Sequence, residues 1–437
     1  MYALVDGNNF YVSCERAFRA SLNGQPVVVL SNNDGCAIAR SNEAKALGIT
    51  MGAPWFEIRH FEESHGLVAL SANFELYGDM SDRMMSVVAG LGHRQEVYSI
   101  DESFVDLSGI RGDLTERARR VRQRILMWTG IPCGIGIGQT KTLAKLANFI
   151  AKTAERKPGS YPEHLAQICN LGGMSAQQQA AVMETTDVGE VWGVGPRIGA
   201  QLREAGVKTV QDLVQLDPAS VRRRWSVVLE RTVRELQGVP CIEMEDEPPP
   251  KQEIAYTRSF GSPVTALRDL QEAVTEFASR AAVKLRGQAG HTGRVLVFIR
   301  TSPFRTQDKQ HSASTTVPLR RPTDDSLAIT QAALVGLRAI YQAGHRYAKA
   351  GVILLELAPA AEGQQELDFG DPQAARGVTA RPRLMQALDL VNNRYGRGTL
   401  ILGSAGLADE RRTWSMKQER RTPRYTTRWE DMPVLRA

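Results

Sequence analysis

Near its middle the chain reads Glu243-Met244-Glu245-Asp246-Glu247-Pro248-Pro249-Pro250. Successive prolines fix φ and remove backbone donors, so neither a helix nor an interior strand can run through them. The segment is expected to be a stiff, extended linker. A chain of 437 residues is expected to hold three or four domains at roughly 100–200 residues each.

Beyond the linker the pattern reads as strand, helix (264–284), two strands (295–301 and 312–318), helix (327–341) and strand (351–357), a βαββαβ unit. Residues 358–383, rich in Ala, Gly, Gln and Pro, read as a second linker. Before the first linker stand the apolar run Tyr2-Ala3-Leu4-Val5 and a strand at 27–30, stopped by the turn cluster Ser31-Asn32-Asn33-Asp34-Gly35. A helix at 41–47, a strand or hairpin at 96–107 and an Arg-rich helix at 114–129 follow, then a strand at 131–137 leading directly into a helix at 140–152. Short helices are expected around Gly193-Val194-Gly195. This mixture indicates an α+β fold class.

The five cysteines are scattered and never spaced as Cys-x-x-Cys, which argues against a disulfide scaffold or a zinc site and fits a reducing cytoplasm. No long uncharged apolar span is present and the start lacks the basic stretch of a secretory signal, so no membrane partner is expected. Lys and Arg number 54 against 48 Asp and Glu, a net charge of +6. Residues 411–428 are strongly basic, with Trp414, Tyr425 and the nearby Trp429 interleaved. Such a stretch favours polyphosphate partners, the alternative being a solvated tail.

Two places put carboxylates where apolar strands should continue. Asp6 ends the first run, and Asp101-Glu102 interrupts Ser99-Ile100-Asp101-Glu102-Ser103-Phe104. Charges set in such a pattern are costly unless paired or bound to metal. Adjacent strand residues point to opposite faces, so a turn or bulge must bring Asp101 and Glu102 together. Phosphoryl transfer to a sugar hydroxyl uses two hard cations held by such oxygens; exposed turn acids are the alternative. Gly134-Ile135-Gly136-Ile137-Gly138 fits neither the P-loop nor the dinucleotide pattern, which disfavours an ATPase or dehydrogenase. In the helix that follows, Lys141, Lys145, Asn148 and Lys152 fall within roughly 60° of one another, opposite Leu143, Leu146, Ala147 and Ile150. That face is expected to present ammonium groups to a triphosphate or a DNA backbone, or else to solvent.

In this order, Asp6-Gly7-Asn8-Asn9-Phe10-Tyr11, Ser99-Ile100-Asp101-Glu102-Ser103-Phe104 and the glycine run resemble the Y-family DNA polymerases. Within them the likeness is to the UmuC-type catalytic subunits of bacterial DNA polymerase V and their plasmid-borne relatives. Val29-Leu30-Ser31-Asn32-Asn33-Asp34-Gly35-Cys36, Thr140-Lys141-Thr142-Leu143-Ala144-Lys145-Leu146-Ala147-Asn148 and Gln342-Ala343-Gly344-His345-Arg346-Tyr347 extend it nearly end to end.

The resemblance implies a multidomain right-hand polymerase. Its parts would be a mixed α/β palm (1–10 and 74–165), small fingers (11–73), a helix-hairpin-helix thumb (166–240), a linker (241–254), a βαββαβ little finger (255–358), a linker with a clamp motif (359–383) and a UmuC-type C-terminal extension (384–437). It implies that Asp6 and Asp101, with the Gly7 carbonyl, ligate two Mg2+ ions, and that Glu102 is a ligand of the catalytic one. Tyr11, with Phe10 beside it, would lie beneath the incoming sugar and collide with a 2′-hydroxyl, while Lys152 grips the triphosphate. Many relatives carry Tyr-x-x-Arg on the fingers. Here Asn42-Glu43-Ala44-Lys45 stands instead, so Lys45, lacking the guanidinium fork, and Arg40 are expected to supply that charge. Gly193, Gly195 and Arg197 resemble a helix-hairpin-helix gripping DNA phosphates, helped by Lys145; a plain αα-turn is the alternative. Arg258, Arg294, Arg300 and Lys309 are expected to track the template. Gln365, Leu367 and Phe369 look like a degenerate sliding-clamp peptide, a chance match being the alternative. Implied partners are primer–template DNA, dNTPs, the sliding clamp, a processed UmuD-type dimer and the recombinase (RecA) filament, at the nucleoid during an SOS-type response. The expected function is error-prone translesion synthesis. An inactive DNA-binding adaptor of the same fold is the alternative, and a nucleotidyl cyclase is disfavoured by the hairpin and little finger.

Overall fold

The computed structural model describes residues 1–245, 249–360, 372–406, 412 and 414–433, without the side chains of 372–380. Contacts divide the chain into residues 1–248 with 420–437, and residues 249–419.

Strands of the first unit are β1 (Tyr2–Gly7), β2 (Val27–Leu30), β3 (Ala37–Arg40), β4 (Val68–Ser71), β5 (Arg94–Val97), β6 (Glu102–Asp106), β7 (Cys133–Gly138) and β8 (Ile168–Asn170). Five of them form a sheet in the order β5-β6-β1-β7-β8, with β1 antiparallel to both neighbours. Ala3 and Val5 share a core with the helices Phe74–Val88 and Leu114–Thr129, whereas Leu4 packs with Phe104 and Ala144 on the other face. Burial on both faces explains why the opening run is apolar without alternation. The helix Leu114–Thr129 is set by its ends and its stripe. Asp113 caps it through the amides of Thr115 and Glu116, Gly130 stops it at φ 72°, and Ala118, Val121, Ile125 and Thr129 form the buried face.

The glycine run accounts for the opposite face. Gly134, Gly136 and Gly138 alternate with the core residues Ile135 and Ile137 and pack beneath the helix Lys141–Arg156. A Cβ on Gly136 would lie 2.1 Å from the Asn148 nitrogen and 2.2 Å from the Ala144 carbonyl oxygen. Asn148 Nδ2 donates to the Gly134 carbonyl at 2.8 Å, closing the contact. The run is a surface for close helix packing.

A second sheet, β3-β2-β4, pairs β2 with β3 antiparallel and with β4 parallel over a small core of its own. The helices Ala176–Glu184, Pro196–Glu204, Val210–Val214, Pro218–Arg224 and Val227–Leu236 gather around Leu202, Leu213 and Val233, on the side of the helix Lys141–Arg156 that carries Leu146 and Ile150.

The second unit contains β9 (Ile254–Val264), β10 (Gly290–Thr301), β11 (Ser312–Thr323) and β12 (Tyr347–Pro359), ordered β11-β10-β12-β9, with the helices Leu267–Gly287 and Ser326–Ile340 sharing its core. The βαββαβ order is as read from the sequence. The linker expected over 359–383 is not: a helix, Pro372–Tyr395, begins inside it. Ala, Gln, Arg and Leu there are strong helix formers and outweigh the Gly and Pro. The extension expected as one piece over 384–437 also divides. Trp414, read as part of a basic tail, is 1% exposed and meets Phe277 edge to face, whereas residues 420–433 belong to the first unit. No helix among the described residues is long and apolar enough to cross a membrane.

Candidate active site

Strand pairing brings the three acids to one end of the first sheet. Asp6 and Glu102 are register partners across β1 and β6, and the Gly7 amide donates to the Asp101 carbonyl at 2.8 Å. The β5–β6 hairpin supplies the turn that adjacent acids require. The Tyr98 and Ser99 amides both donate to the Glu102 carbonyl, at 3.0 and 3.1 Å. Ser99 Oγ donates to Asp101 Oδ1 at 2.6 Å and accepts from the Asp101 and Glu102 amides at 3.3 and 3.1 Å. Asp101 thus sits in the bend and Glu102 opens the strand.

Because the glycines let the helix Lys141–Arg156 lie close, its lysines reach this sheet. Lys152 Nζ is 2.5 Å from Asp6 Oδ1 and Lys145 Nζ is 2.9 Å from Glu102 Oε2. Lys141, 2% exposed, bonds both oxygens of Glu96 at 2.7 and 2.8 Å. The expected open ammonium face is therefore corrected to a row of ion pairs, with Asn148 buried among strand carbonyls. Lys145 also lies over the Tyr98 and Trp192 rings, 4.6 and 5.3 Å from their centroids. Burial pushes the Asp6 carboxyl up; Lys152 opposes this, and the charges of Glu102 and Asp101 add to it.

Among the described residues no three acidic, His or Cys side chains converge into a metal cage, since each acid has turned to a partner of its own. The donor set nevertheless fits hard cations. Asp6 and Glu102 are register partners, Asp101 precedes Glu102 and both charges act on Asp6, and two of the acids already hold an ammonium as a stand-in positive charge.

Tyr11 is half-buried, stacked on Tyr77 with centroids 4.5 Å apart and planes at 15°, and edge-on to Phe74 at 6.0 Å. Burial and the Asp101 charge raise its phenol. Phe10 is 3% exposed in the core, beneath Gly7, so it supports the site from below and does not face an incoming nucleotide. Lys45, on the helix Asn42–Ala46, donates through Nζ to Asn9 Oδ1 at 2.5 Å, and Arg40, at the end of β3, donates through Nη1 to the Ile49 carbonyl at 2.6 Å. Burial, then Arg156, Arg40 and Lys152, lower the Lys45 ammonium to about 8. Four cations from one strand and two helices thus share a neighbourhood, which suits a polyanionic ligand.

Asn9, Ser99 and Arg156 escaped the sequence reading. Asn9 is left-handed (φ 49°) at the start of the helix Phe10–Phe18 and joins Lys45 to Asn42. Its signal is a small polar residue between Gly7 and two aromatics. Arg156 follows Lys152 by four positions, on the same helical face; Ser99 stands two residues before an Asp, a hydroxyl placed to build a turn.

Gly193 adopts φ 89°, and Gly195 caps the helix Pro196–Glu204 with Arg197 exposed beside it. Arg258 lies over Tyr256 and Phe277 at 5.8 Å, and Arg294 pairs with Glu356 at 3.0 Å; Arg300 and Lys309 are exposed. Gln365, Leu367 and Phe369 lie outside the described residues.

The impB/mucB/samB family matches residues 5–148, its C-terminal domain matches 251–367, and residues 382–435 match a domain of unknown function, DUF4113. Protein UmuC of Salmonella typhimurium is 44% identical over 434 residues, 99% of each chain, and Protein ImpB of the same organism is 41% identical over 441 residues, 100% of each. DNA polymerase IV 2 of Mycobacterium tuberculosis is 27% identical over 336 residues, 75% of this chain and 90% of its own. Among solved structures, the Y-family DNA polymerase chimera Dbh-Dpo4(243-245)-Dbh matches with a TM-score of 0.63 at 17% identity, over 82% of this chain and 99% of its own. The insertion ternary complex of Dbh DNA polymerase matches at 0.52 and 18%, over 82% and 99%. At such identities the structural likeness is one of fold.

Proposed function

The chain belongs to the impB/mucB/samB family of Y-family DNA polymerases, and from that premise we propose that it extends DNA primers across damaged templates by error-prone, template-directed nucleotidyl transfer from dNTPs. The observation that carries the reading is the pairing of Asp6 with Glu102 across two strands, with Asp101 fastened to Gly7 beside them. Asp6, Asp101, Glu102 and the Gly7 carbonyl would hold two magnesium ions. When bound, such ions lower the pKa of an attacking hydroxyl and neutralise charge on the reacting phosphates.

The chain's own residues do the rest. Ser99 holds the backbone of the two adjacent acids in the turn that places them beside Asp6. Lys152 and Lys145, which neutralise Asp6 and Glu102 here, become available to phosphate oxygens once cations take over the carboxylates. Lys45, Arg40 and Arg156 surround the place of the triphosphate, and the Tyr11 ring, backed by Tyr77, blocks a 2′-hydroxyl. Gly193, Gly195 and Arg197 present a helix start to a DNA phosphate without reading sequence. A processed UmuD-type dimer, a recombinase (RecA) filament and, through Gln365, Leu367 and Phe369, a sliding clamp complete the proposal, within the bacterial cytoplasm during an SOS-type response. Tethering by a clamp raises the local concentration of an enzyme that releases its primer readily.

Primer extension on undamaged and abasic templates, with dNTPs, magnesium and these partners, tests the reading. Extension by the wild type and its loss, by about a thousandfold or more, in Asp101→Ala is the expected result. Tight primer–template binding by the wild type with no extension would sink it.

A further inference from the structure

Tyr11, Glu15 and Phe18 lie on one face of the helix Phe10–Phe18, at intervals of four and three residues. Each is held by something outside that helix. Tyr77 stacks on Tyr11 at 4.5 Å, and its hydroxyl donates to Glu15 Oε1 at 2.7 Å. Thr422 Oγ1 donates to the same Glu15 oxygen at 3.1 Å, and Tyr425 stacks on Phe18 at 5.0 Å with planes 8° apart. The residues that reach back from position 422 are themselves anchored. Arg420 bonds Ser71 through both its amide and its carbonyl, at 3.0 and 3.1 Å. Asn73 donates to the Thr422 carbonyl, the Thr422 hydroxyl and the Pro423 carbonyl at 3.2, 3.1 and 3.0 Å, and Arg421 and Arg424 both pair with Glu75. Residues 420–425 therefore form a strap, inside the segment 382–435 that matches a domain of unknown function.

Glu15 is the unusual member. Its side chain is fully buried, and one of its oxygens has no partner while the other takes both hydroxyls. Burial pushes its carboxyl up and the two donors pull it down. An apolar residue would fill the space without that cost, but only a fixed acceptor dictates where the Tyr77 hydroxyl sits. A phenol O–H lies in the plane of its ring, so an acceptor held to one side of the hydroxyl favours one ring plane for Tyr77, and that plane is the backing of Tyr11.

We propose that Glu15 is a positioning residue for sugar selection, and that the strap, through Thr422, completes the chain of contacts Thr422–Glu15–Tyr77 that sets the Tyr11 ring against a 2′-hydroxyl. The inference rests on Tyr11 lying beneath the incoming sugar. A ring free to tilt still packs, but no longer excludes one oxygen atom.

The readout is the ratio of kcat/KM for a ribonucleotide to that for the matching deoxynucleotide, in the primer-extension assay with all partners. Tyr77→Phe keeps the ring and removes the hydroxyl, and raises the ratio about tenfold; Thr422→Val raises it about threefold. Glu15→Leu raises it too, and Glu15→Gln, which keeps an acceptor oxygen, returns it toward wild type. Damage that is merely structural lowers both constants together and leaves the ratio unmoved. Should Glu15→Leu fail to fold, Tyr77→Phe and Thr422→Val decide. A wild-type ratio in both, with Tyr11→Ala relaxed, overturns the strap's role and leaves the Tyr11 reading standing. An unchanged ratio in Tyr11→Ala removes that reading and this inference with it.

Discussion

Around Lys45, positive charges outnumber what any one acid can answer, and its ammonium registers the strain. Burial and the cations Arg156, Arg40 and Lys152 lower its ammonium from 10.5 to about 8. The folded chain thus gives up this proton earlier than the unfolded chain. The penalty is present in full below about 8 and is relieved as pH rises toward 10.5, so stability grows across that window. Substrate binding runs the other way. On the proposed role of Lys45 as a phosphate grip, the free enzyme loses a needed charge above about pH 8, so kcat/KM for a dNTP is expected to fall, by up to about tenfold per pH unit. In Lys45→Arg, whose guanidinium holds its proton, the break moves to higher pH. A wild-type profile flat through pH 8, or the same break in the arginine variant, contradicts a phosphate-gripping Lys45. Sequence spacing found the lysines of the helix Lys141–Arg156 and the acids of β1 and β6, but not their pairing. Periodicity says which residues share a face; only register, Asp6 against Glu102 and Gly134, says which acid each lysine meets.

Packing of that helix against β7 is what makes the register useful, and it depends on missing side chains. Gly136→Ala would put a methyl 2.1 Å from the Asn148 nitrogen and 2.2 Å from the Ala144 carbonyl, both backbone atoms that cannot swing aside. The helix must lift, and overpacking of this kind costs about 1–3 kcal/mol or more. A loss of several degrees in Tm is expected, together with loss of extension activity, because Lys145 and Lys152 ride on the same helix. A variant with wild-type Tm and activity would show that the helix is not held at this distance. At this scale much was legible. The strand at 27–30 and the helix at 114–129 stand where hydrophobic pattern and turn residues put them. The glycine run was legible only by exclusion, since its mismatch to nucleotide-loop patterns left its positive role, close helix packing, to be seen in three dimensions. The helix Pro372–Tyr395 was hidden because Gly and Pro mark loops strongly and Pro382 sits inside it.

Across the whole chain the proline break does divide the contacts, but the last residues return across it in sequence. Trp414 is fully enclosed in the core of residues 249–419, against Phe277, whereas Thr422 and Tyr425 serve the core that contains Phe18 and Tyr77. Composition could not have separated them, since both stretches are basic with aromatics interleaved, and the difference lies in which core has room for each ring. The two cores share no residue among those described. Calorimetry of the full chain is therefore expected to resolve two transitions. Trp414→Ala empties a site the size of an indole at a cost of about 3–5 kcal/mol, and lowers one transition by about 10 °C while the other stays in place. Deleting residues 420–437 removes the strap's hydrogen bonds to Ser71, Asn73 and Glu15 and lowers the other transition alone. If both changes move one shared transition, the halves fold as a single cooperative unit, and a break of three prolines does not suffice to make them independent.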